Sequence, residues 1–318
     1  MHFCFAASKN VFPSHWIFTF LIPFNYLWQN FALVIYSRMK LYFDHTHLQN
    51  LAKDHQKEFQ SNKPFPYVVI DNFMDPEALD KVLEEFPKPG QKIWHDYKND
   101  FEKKQELNGE GKVGEFTQHL LYQFNSAPFL MFLESLTGIE HLIPDPYFFG
   151  GGLHQLNGKG KLGMHADYSK HVKWPLDRRI NAILYLNKDW KEEYNGHLEL
   201  WDTEMTKCEK RVAPLFNRLV VFAVTDFNMH GVPDEIKCPE GMSRKSMAFF
   251  YFTNGRPSSE IDPNKKLHVK FTDRPNEEKA SKIDPANIIG YEQNPIKRFV
   301  KGITPPYLFE FIKKVSGK

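Results

Sequence analysis

The chain has 318 residues, room for one large domain or two small ones. Its 42% hydrophobic and 25% charged residues are ordinary for a globular protein, and a net charge of +2 gives no electrostatic case for a nucleic-acid partner. Cys4, Cys208 and Cys238 are too few and too scattered for a disulfide framework and lack metal-ligand spacing, which fits a reducing, cytoplasmic compartment.

Residues 1–38 are apolar and aromatic-rich from Trp16 to Tyr36, interrupted by Pro23, Asn25, Gln29 and Asn30. A spanning helix needs about 20 predominantly apolar residues, which this stretch only approaches. No compact apolar run with a small-residue cleavage site marks a signal peptide. The expectation is a disordered leader or a mis-assigned start, with translation beginning at Met39. A weak membrane anchor is the minority reading.

Leu48 to Phe59 reads as a helix, and Pro66 to Phe73 as a strand and turn. Asp75-Pro76 opens a second helix, with an acceptor at the N-cap and proline at the first helical position, ending before Pro87. Residues 88–117 are polar, with Gly90, Gly109, Gly111 and Gly114. A loop that long is either functional or a solvated insertion. Ser126 to Thr137 reads as a helix stopped by Gly138.

From Pro146 to Phe252 the pattern turns β. Strands are expected near 148–156, 162–166, 180–186, 198–201, 210–213, 219–223 and 246–253. Short strands with Gly/Pro/Asn punctuation, flanked by helices, indicate a mainly β fold with a jelly-roll core. Such a barrel can hold one small ligand at its mouth. The domain plan is an uncertain leader (1–38), a domain over 39–257 with its core at 146–257, and a charged, proline-interrupted tail (258–318). The tail reads as extended and loosely packed to about Asn294, with a short helix from Tyr307 to Val315.

Within the β region, His165-Ala166-Asp167 places two metal-ligating types on one face of a strand. His230 offers a third ligand. Two histidines and one carboxylate make the facial triad of a non-haem Fe(II) oxygenase, with further positions left open. Arg244 opens the next strand pattern. It can grip a dicarboxylate through two parallel hydrogen bonds, where lysine would act only as a point charge. Ser246 and Ala248, small and on the same strand face, leave room for a ligand.

On these residues the chain resembles the 2-oxoglutarate- and Fe(II)-dependent dioxygenases of the prolyl 4-hydroxylase type. The resemblance runs from about Pro66 to Pro257. It is densest in Arg179–Trp190, Asn217–Phe222 and His230–Arg244. It implies a double-stranded β-helix in which His165, Asp167 and His230 hold iron. By the same resemblance Arg244 binds the distal carboxylate of 2-oxoglutarate, with the Tyr185 hydroxyl donating to that carboxylate, and the segment 88–117 closes over substrate. Fe(II), 2-oxoglutarate and O2 are then required, with ascorbate as reductant.

The implied reaction is hydroxylation of a C–H bond, releasing succinate and CO2, with a prolyl or proline-like group as substrate. A free amino acid, or a biosynthetic small molecule or sugar, is the alternative substrate, and a non-catalytic, cupin-like metal-binding module the alternative function. The partners are the cosubstrate and a peptide or small-molecule substrate. His154 and His171 flank the HxD pair at spacings that fit no triad, and His197 reads as a surface or packing residue, with reach to substrate the alternative. Gln155 stands ten residues before His165, where hypoxia-type relatives carry a tyrosine near the cosubstrate. Arg218 reads as a turn residue.

Overall fold

A computed structural model describes residues 40–108, 112–264, 269–275 and 277. The leader (1–38) and the helix expected over 307–315 lie outside these residues. The chain divides into two units between Leu41 and Tyr42, and every element named below belongs to the second. Among the described residues no helix is long and apolar enough to cross a membrane.

In chain order the elements are α1 (His45–Ser61), β1 (Tyr67–Asp71), α2 (Pro76–Glu85), β2 (His95–Lys98), β3 (Glu102–Leu107), α3 (Glu115–Phe124), α4 (Ala127–Thr137), β4 (Ile143–Pro144), β5 (Gly152–Leu156), β6 (Lys161–Ala166), β7 (Asp177–Tyr185), β8 (Leu198–Trp201), β9 (Cys208–Val212), β10 (Arg218–Ala223), β11 (Met229–Val232), β12 (Arg244–Thr253) and β13 (Lys270–Phe271). The strands order as β1-β10-β7-β12-β5-β3-β6-β11-β8-β9, all paired antiparallel. The sheet folds over on itself into a double-stranded β-helix. Tyr185 of β7 and Val220 and Phe222 of β10 meet Leu198 and Leu200 of β8 across its interior.

Strict alternation decides what each strand of the larger layer faces. In β12, Met247, Phe249 and Tyr251 join Leu184, Ala182 and Ile180 of β7 in packing against the helices. The intervening Arg244, Ser246, Ala248 and Phe250 line a pocket with Asn181 and Ile183. One face of the layer is therefore structural and the other carries chemistry.

The helices cover the structural face with aromatic rings. Phe124 stacks on Phe249 at 4.0 Å, and Phe129 meets Phe124 edge-on at 4.8 Å and Tyr251 at 5.9 Å. Phe129 is fully buried. Phe129→Ala is expected to cost about 3–5 kcal/mol, read as a lower urea midpoint at unchanged slope. Local signals set the helix ends. The Asp75 carboxylate accepts from the Glu77 amide at 3.0 Å, and Gly138 closes α4 at φ +74°. Ser126 sits at the N-cap of α4, but its hydroxyl donates back to the Gln123 carbonyl at 2.5 Å instead of capping.

The polar stretch 88–117 is more ordered than its composition indicates. Asn99 makes a side-chain turn, its Oδ1 accepting from the amides of Phe101 (2.9 Å) and Glu102 (2.8 Å), so β2 and β3 form a hairpin. β3 is inserted between β5 and β6. The start of α3 is capped from afar by Glu85, which accepts from the amides of Phe116 (3.2 Å) and Thr117 (2.7 Å).

Past Pro257 the chain also holds structure. β13 pairs with β6 at Ala166 and His165. Arg274 anchors it through Asp234 at 2.9 Å and Glu199 at 3.5 Å. Charge in this segment marks a clasp where composition alone reads as loose tail.

Candidate active site

β6 and β11 are neighbours, and their register sets His230 directly across from His165. Asp167 follows two residues later, just past the end of β6. The three ligand atoms lie within 4.8 Å of one another and all three residues are buried. The Asp167 carboxylate oxygens stand 3.6 Å from His165 Nε2 and 3.4 Å from His230 Nε2. The ring centroids are 4.4 Å apart.

The other ring nitrogens fix the tautomers. His165 Nδ1 faces the Gly163 carbonyl at 2.9 Å, and His230 Nδ1 faces the Asn228 carbonyl at 3.3 Å. An N–H donated to each carbonyl leaves both Nε2 lone pairs turned toward Asp167, the arrangement a metal-binding imidazole needs. Burial and the neighbouring His165 push the His230 pKa down, favouring the neutral ring. Burial opposes ionisation of Asp167, but Arg178 and the two imidazoles outweigh it and hold the carboxyl well below the ordinary range. Two imidazoles and one ionised carboxylate, without thiolate, suit divalent iron.

Close approach of β6 and β11 depends on Gly231. A Cβ there would lie 2.8 Å from the Gly163 carbonyl oxygen and 2.9 Å from that of Leu162. Gly231→Ala should push β11 away and separate His230 from His165. Iron affinity is then expected to fall about 10- to 100-fold, measured by chelator competition.

Asp167 is held by two residues that sequence reasoning missed. Arg178 Nη2 lies 3.1 Å from its Oδ2, and Asn181 donates to the same oxygen at 2.7 Å. Arg178 Nε in turn donates to Asn181 Oδ1 at 2.9 Å. The guanidinium is 3.4 Å from the Phe250 ring centre and 4.6 Å from that of Tyr168. The phase of β7, which puts Asn181 and Ile183 on the pocket face with Tyr185, could have found Asn181; Arg178 has the opposite phase, lies where the β7–β12 register shifts, and carries no such signal.

The structure brings Arg244 and Tyr185 together. Arg244 Nε donates to the Gly196 carbonyl at 2.7 Å, and Nη2 donates to the Tyr185 hydroxyl at 3.1 Å. Arg244 is 4% exposed, lines the pocket and has no carboxylate partner among the described residues. A buried guanidinium without a counter-charge is costly unless an anion joins it. The pocket, about 580 Å³, contains both this cation and the three clustered ligands.

Residues 151–252 match the family model described as the 2OG-Fe(II) oxygenase superfamily. That match covers 102 of the 318 residues. Over 92 residues the chain is 32% identical to the mouse protein "Prolyl 3-hydroxylase OGFOD1", a stretch that is 27% of this chain and 16% of that relative's length. Among solved structures it is similar to a Trichoplax adhaerens prolyl hydroxylase in complex with a hypoxia inducible factor oxygen degradation domain peptide. That match has a TM-score of 0.48, 15% identity and coverage of 65% of this chain and 91% of the other. A Pseudomonas putida prolyl-4-hydroxylase matches with TM-score 0.46 and 16% identity over 65% and 100% of the two chains. HygX from Streptomyces hygroscopicus, with nickel and 2-oxoglutarate bound, matches with TM-score 0.44 and 10% identity over 68% and 96%.

The remaining polar residues of the β region sort by facing. His171 Nδ1 accepts from the amides of Lys173 (3.1 Å) and Trp174 (3.2 Å), a structural role. His197 pairs with Glu192 at 3.0 Å and packs away from the pocket. Arg218 opens β10 and grips Asp71 through two bonds of 2.6 and 2.8 Å. Gln155 points away from the ligands, donating to Gln105 at 2.9 Å and accepting from Ser243 at 2.8 Å. Its neighbours His154 and Leu156 line the pocket instead. The position that sequence spacing matched to a cosubstrate-facing tyrosine is thus on the wrong side of the strand.

Proposed function

We propose that this chain is an Fe(II)- and 2-oxoglutarate-dependent dioxygenase that hydroxylates a C–H bond of a prolyl or proline-like substrate. One observation carries the reading: a buried Arg244, with no carboxylate partner among the described residues, shares a pocket with a His/Asp/His cluster. A bare metal-binding jelly roll has no use for a desolvated guanidinium. A dicarboxylate cosubstrate does, because it brings the missing negative charge.

In this reading His165, Asp167 and His230 hold the iron. Arg244 receives the distal carboxylate of 2-oxoglutarate, and the Tyr185 O–H is available to the same group. Bound iron supplies oxygen activation, coupling decarboxylation of 2-oxoglutarate to succinate and CO2 with hydroxylation of substrate. Arg178 and Asn181 orient Asp167. The hairpin β2–β3 and the strand β13 narrow the mouth and limit water. The prolyl assignment is supported by the local likeness to a prolyl 3-hydroxylase.

The test is succinate release by purified protein with Fe(II), 2-oxoglutarate, ascorbate and oxygen, beside Asp167→Ala. Succinate from wild type alone is the expected result. A wild type that binds iron yet neither binds nor consumes 2-oxoglutarate, even with cell extract as a source of substrate, returns the chain to the metal-binding module.

A further inference from the structure

Every second residue of β3 lines the pocket: Glu102, Lys104 and Glu106. β5 adds His154, whose register partner on β3 is Glu106. Side chains so paired are immediate neighbours on one face.

Four donors on this wall, from Tyr97, Tyr168, Lys104 and Arg178, are engaged. The Tyr97 hydroxyl donates to Glu106 Oε2 at 3.1 Å, and the Tyr168 hydroxyl to the Phe149 carbonyl at 3.1 Å. Lys104 Nζ pairs with Glu102 at 3.2 Å and lies 4.5 Å from the Tyr97 ring centre. Arg178 is committed to Asp167 and Asn181.

The capacity left over is acceptor capacity. Glu106 is 5% exposed, and Tyr97 is its one hydrogen-bonding partner among the described residues. His154 Nε2 is buried with no partner. Burial, with the charge of Lys104, pushes the His154 pKa down to about 3, so the ring is neutral at ordinary pH. Backbone contacts at Gly151 and Gly150 hold its one N–H on the other nitrogen. Nε2 therefore presents a lone pair beside a carboxylate. Burial pushes the Glu106 pKa up against the pull of Lys104 and the Tyr97 hydroxyl, so its ionised form gains most when a cation joins it. With Glu106 ionised, Glu102, Lys104 and Glu106 together leave one negative charge.

We propose that Glu106 and His154 form a substrate subsite for a protonated amine, so that the molecule oxidised is a small free amine such as an amino or imino acid. This rests on the oxygenase reading above. A prolyl residue inside a peptide has a tertiary amide nitrogen with no N–H to offer. A free imino acid carries two N–H groups and one positive charge, matching two acceptors and one uncompensated carboxylate.

The experiment titrates the full chain, loaded with Fe(II) and 2-oxoglutarate, with the twenty free amino acids, L-proline included, and with their N-acetyl forms. Anaerobic calorimetry reads binding, and succinate release in air reads turnover. At least one free amine is expected to bind and to stimulate, while its N-acetyl form does neither. Glu106→Gln should raise KM for that amine about 10- to 100-fold, with a smaller change in kcat. Glu106→Asp, which keeps the charge, should keep the preference for the amine over its N-acetyl form. His154→Gln, which keeps an acceptor, should cost less than His154→Leu.

The proposal is overturned if N-acetyl forms, a capped prolyl peptide or an uncharged polyol work as well as free amines. It is also overturned if no amine binds, or if Glu106→Gln folds normally and leaves KM unchanged. Failure of the oxygenase reading shows separately, as wild-type protein that binds neither iron nor 2-oxoglutarate, and overturns both.

Discussion

Arg244→Ala is expected to weaken 2-oxoglutarate binding by about two to three orders of magnitude, measured by anaerobic calorimetry on the iron-loaded protein. The size follows from burial. Arg244 is 4% exposed, so the carboxylate it receives is also withdrawn from water and loses its only full counter-charge in the variant. Arg244→Lys should recover only part of the loss. An ammonium restores the charge but cannot donate the two parallel bonds that fit a carboxylate. Tyr185→Phe should cost less, about tenfold, because it removes one neutral hydrogen bond. An unchanged Kd in well-folded Arg244→Ala would sink the cosubstrate assignment.

The same variant series has a second, opposite effect. Without 2-oxoglutarate, Arg244 is a buried charge whose partners among the described residues are the Gly196 carbonyl and the Tyr185 hydroxyl. Arg244→Met should therefore raise the melting temperature of cosubstrate-free protein while abolishing the rise that 2-oxoglutarate gives to wild type. Stability stored as an unpaired cation is converted into ligand affinity, a common exchange at binding sites.

How much of this was legible in the sequence depended on whether a residue's role is set by local pattern or by pairing across the sheet. His165 and Asp167 are two apart on one strand, so their common face follows from the period of a strand. Arg244 and Tyr185 were marked by chemistry and by the resemblance, and the structure joins them at 3.1 Å. The hairpin β2–β3 was hidden because its strand residues are charged. They are polar because β3 faces the pocket with Glu102, Lys104 and Glu106 on one side. On the other side Gln105 donates to the Asp96 carboxylate and accepts from the Gln155 amide. Alternation of apolar with polar, the usual sign of a strand, is absent when both faces are polar. Gln155 shows the complementary error. Counting back from His165 crosses the turn at Gly158 and Gly160, and one residue of slack there exchanges the faces of the preceding strand. His154 was set aside because its spacing fits no metal triad, which leaves other pocket roles untested. β13 was hidden because pairing with β6 is non-local, and a two-residue strand carries no periodicity of its own.

Asp167→Ala should combine two losses that a double-mutant cycle can separate. The first is iron. The carboxylate is the one anionic ligand of the cluster, and its removal is expected to abolish stoichiometric iron at micromolar metal. The second is stability. Arg178 is 2% exposed and Asp167 is its one carboxylate partner among the described residues, at 3.1 Å. Truncating Asp167 leaves that charge buried and unbalanced, which costs about 3–5 kcal/mol in iron-free protein. Adding Arg178→Met should return most of this stability, because a flexible apolar side chain can occupy the space beside Phe250 and Tyr168 with no charge to compensate. It should return none of the iron binding. Asn181→Ala, by contrast, removes only the amide that donates to Asp167 at 2.7 Å. It should keep stoichiometric iron with affinity lowered about 10- to 100-fold. If Asp167→Ala/Arg178→Met were no more stable than Asp167→Ala, the ion pair would not be the source of the loss. The role of Arg178 would then lie in the geometry of the pocket wall rather than in balancing the charge of Asp167.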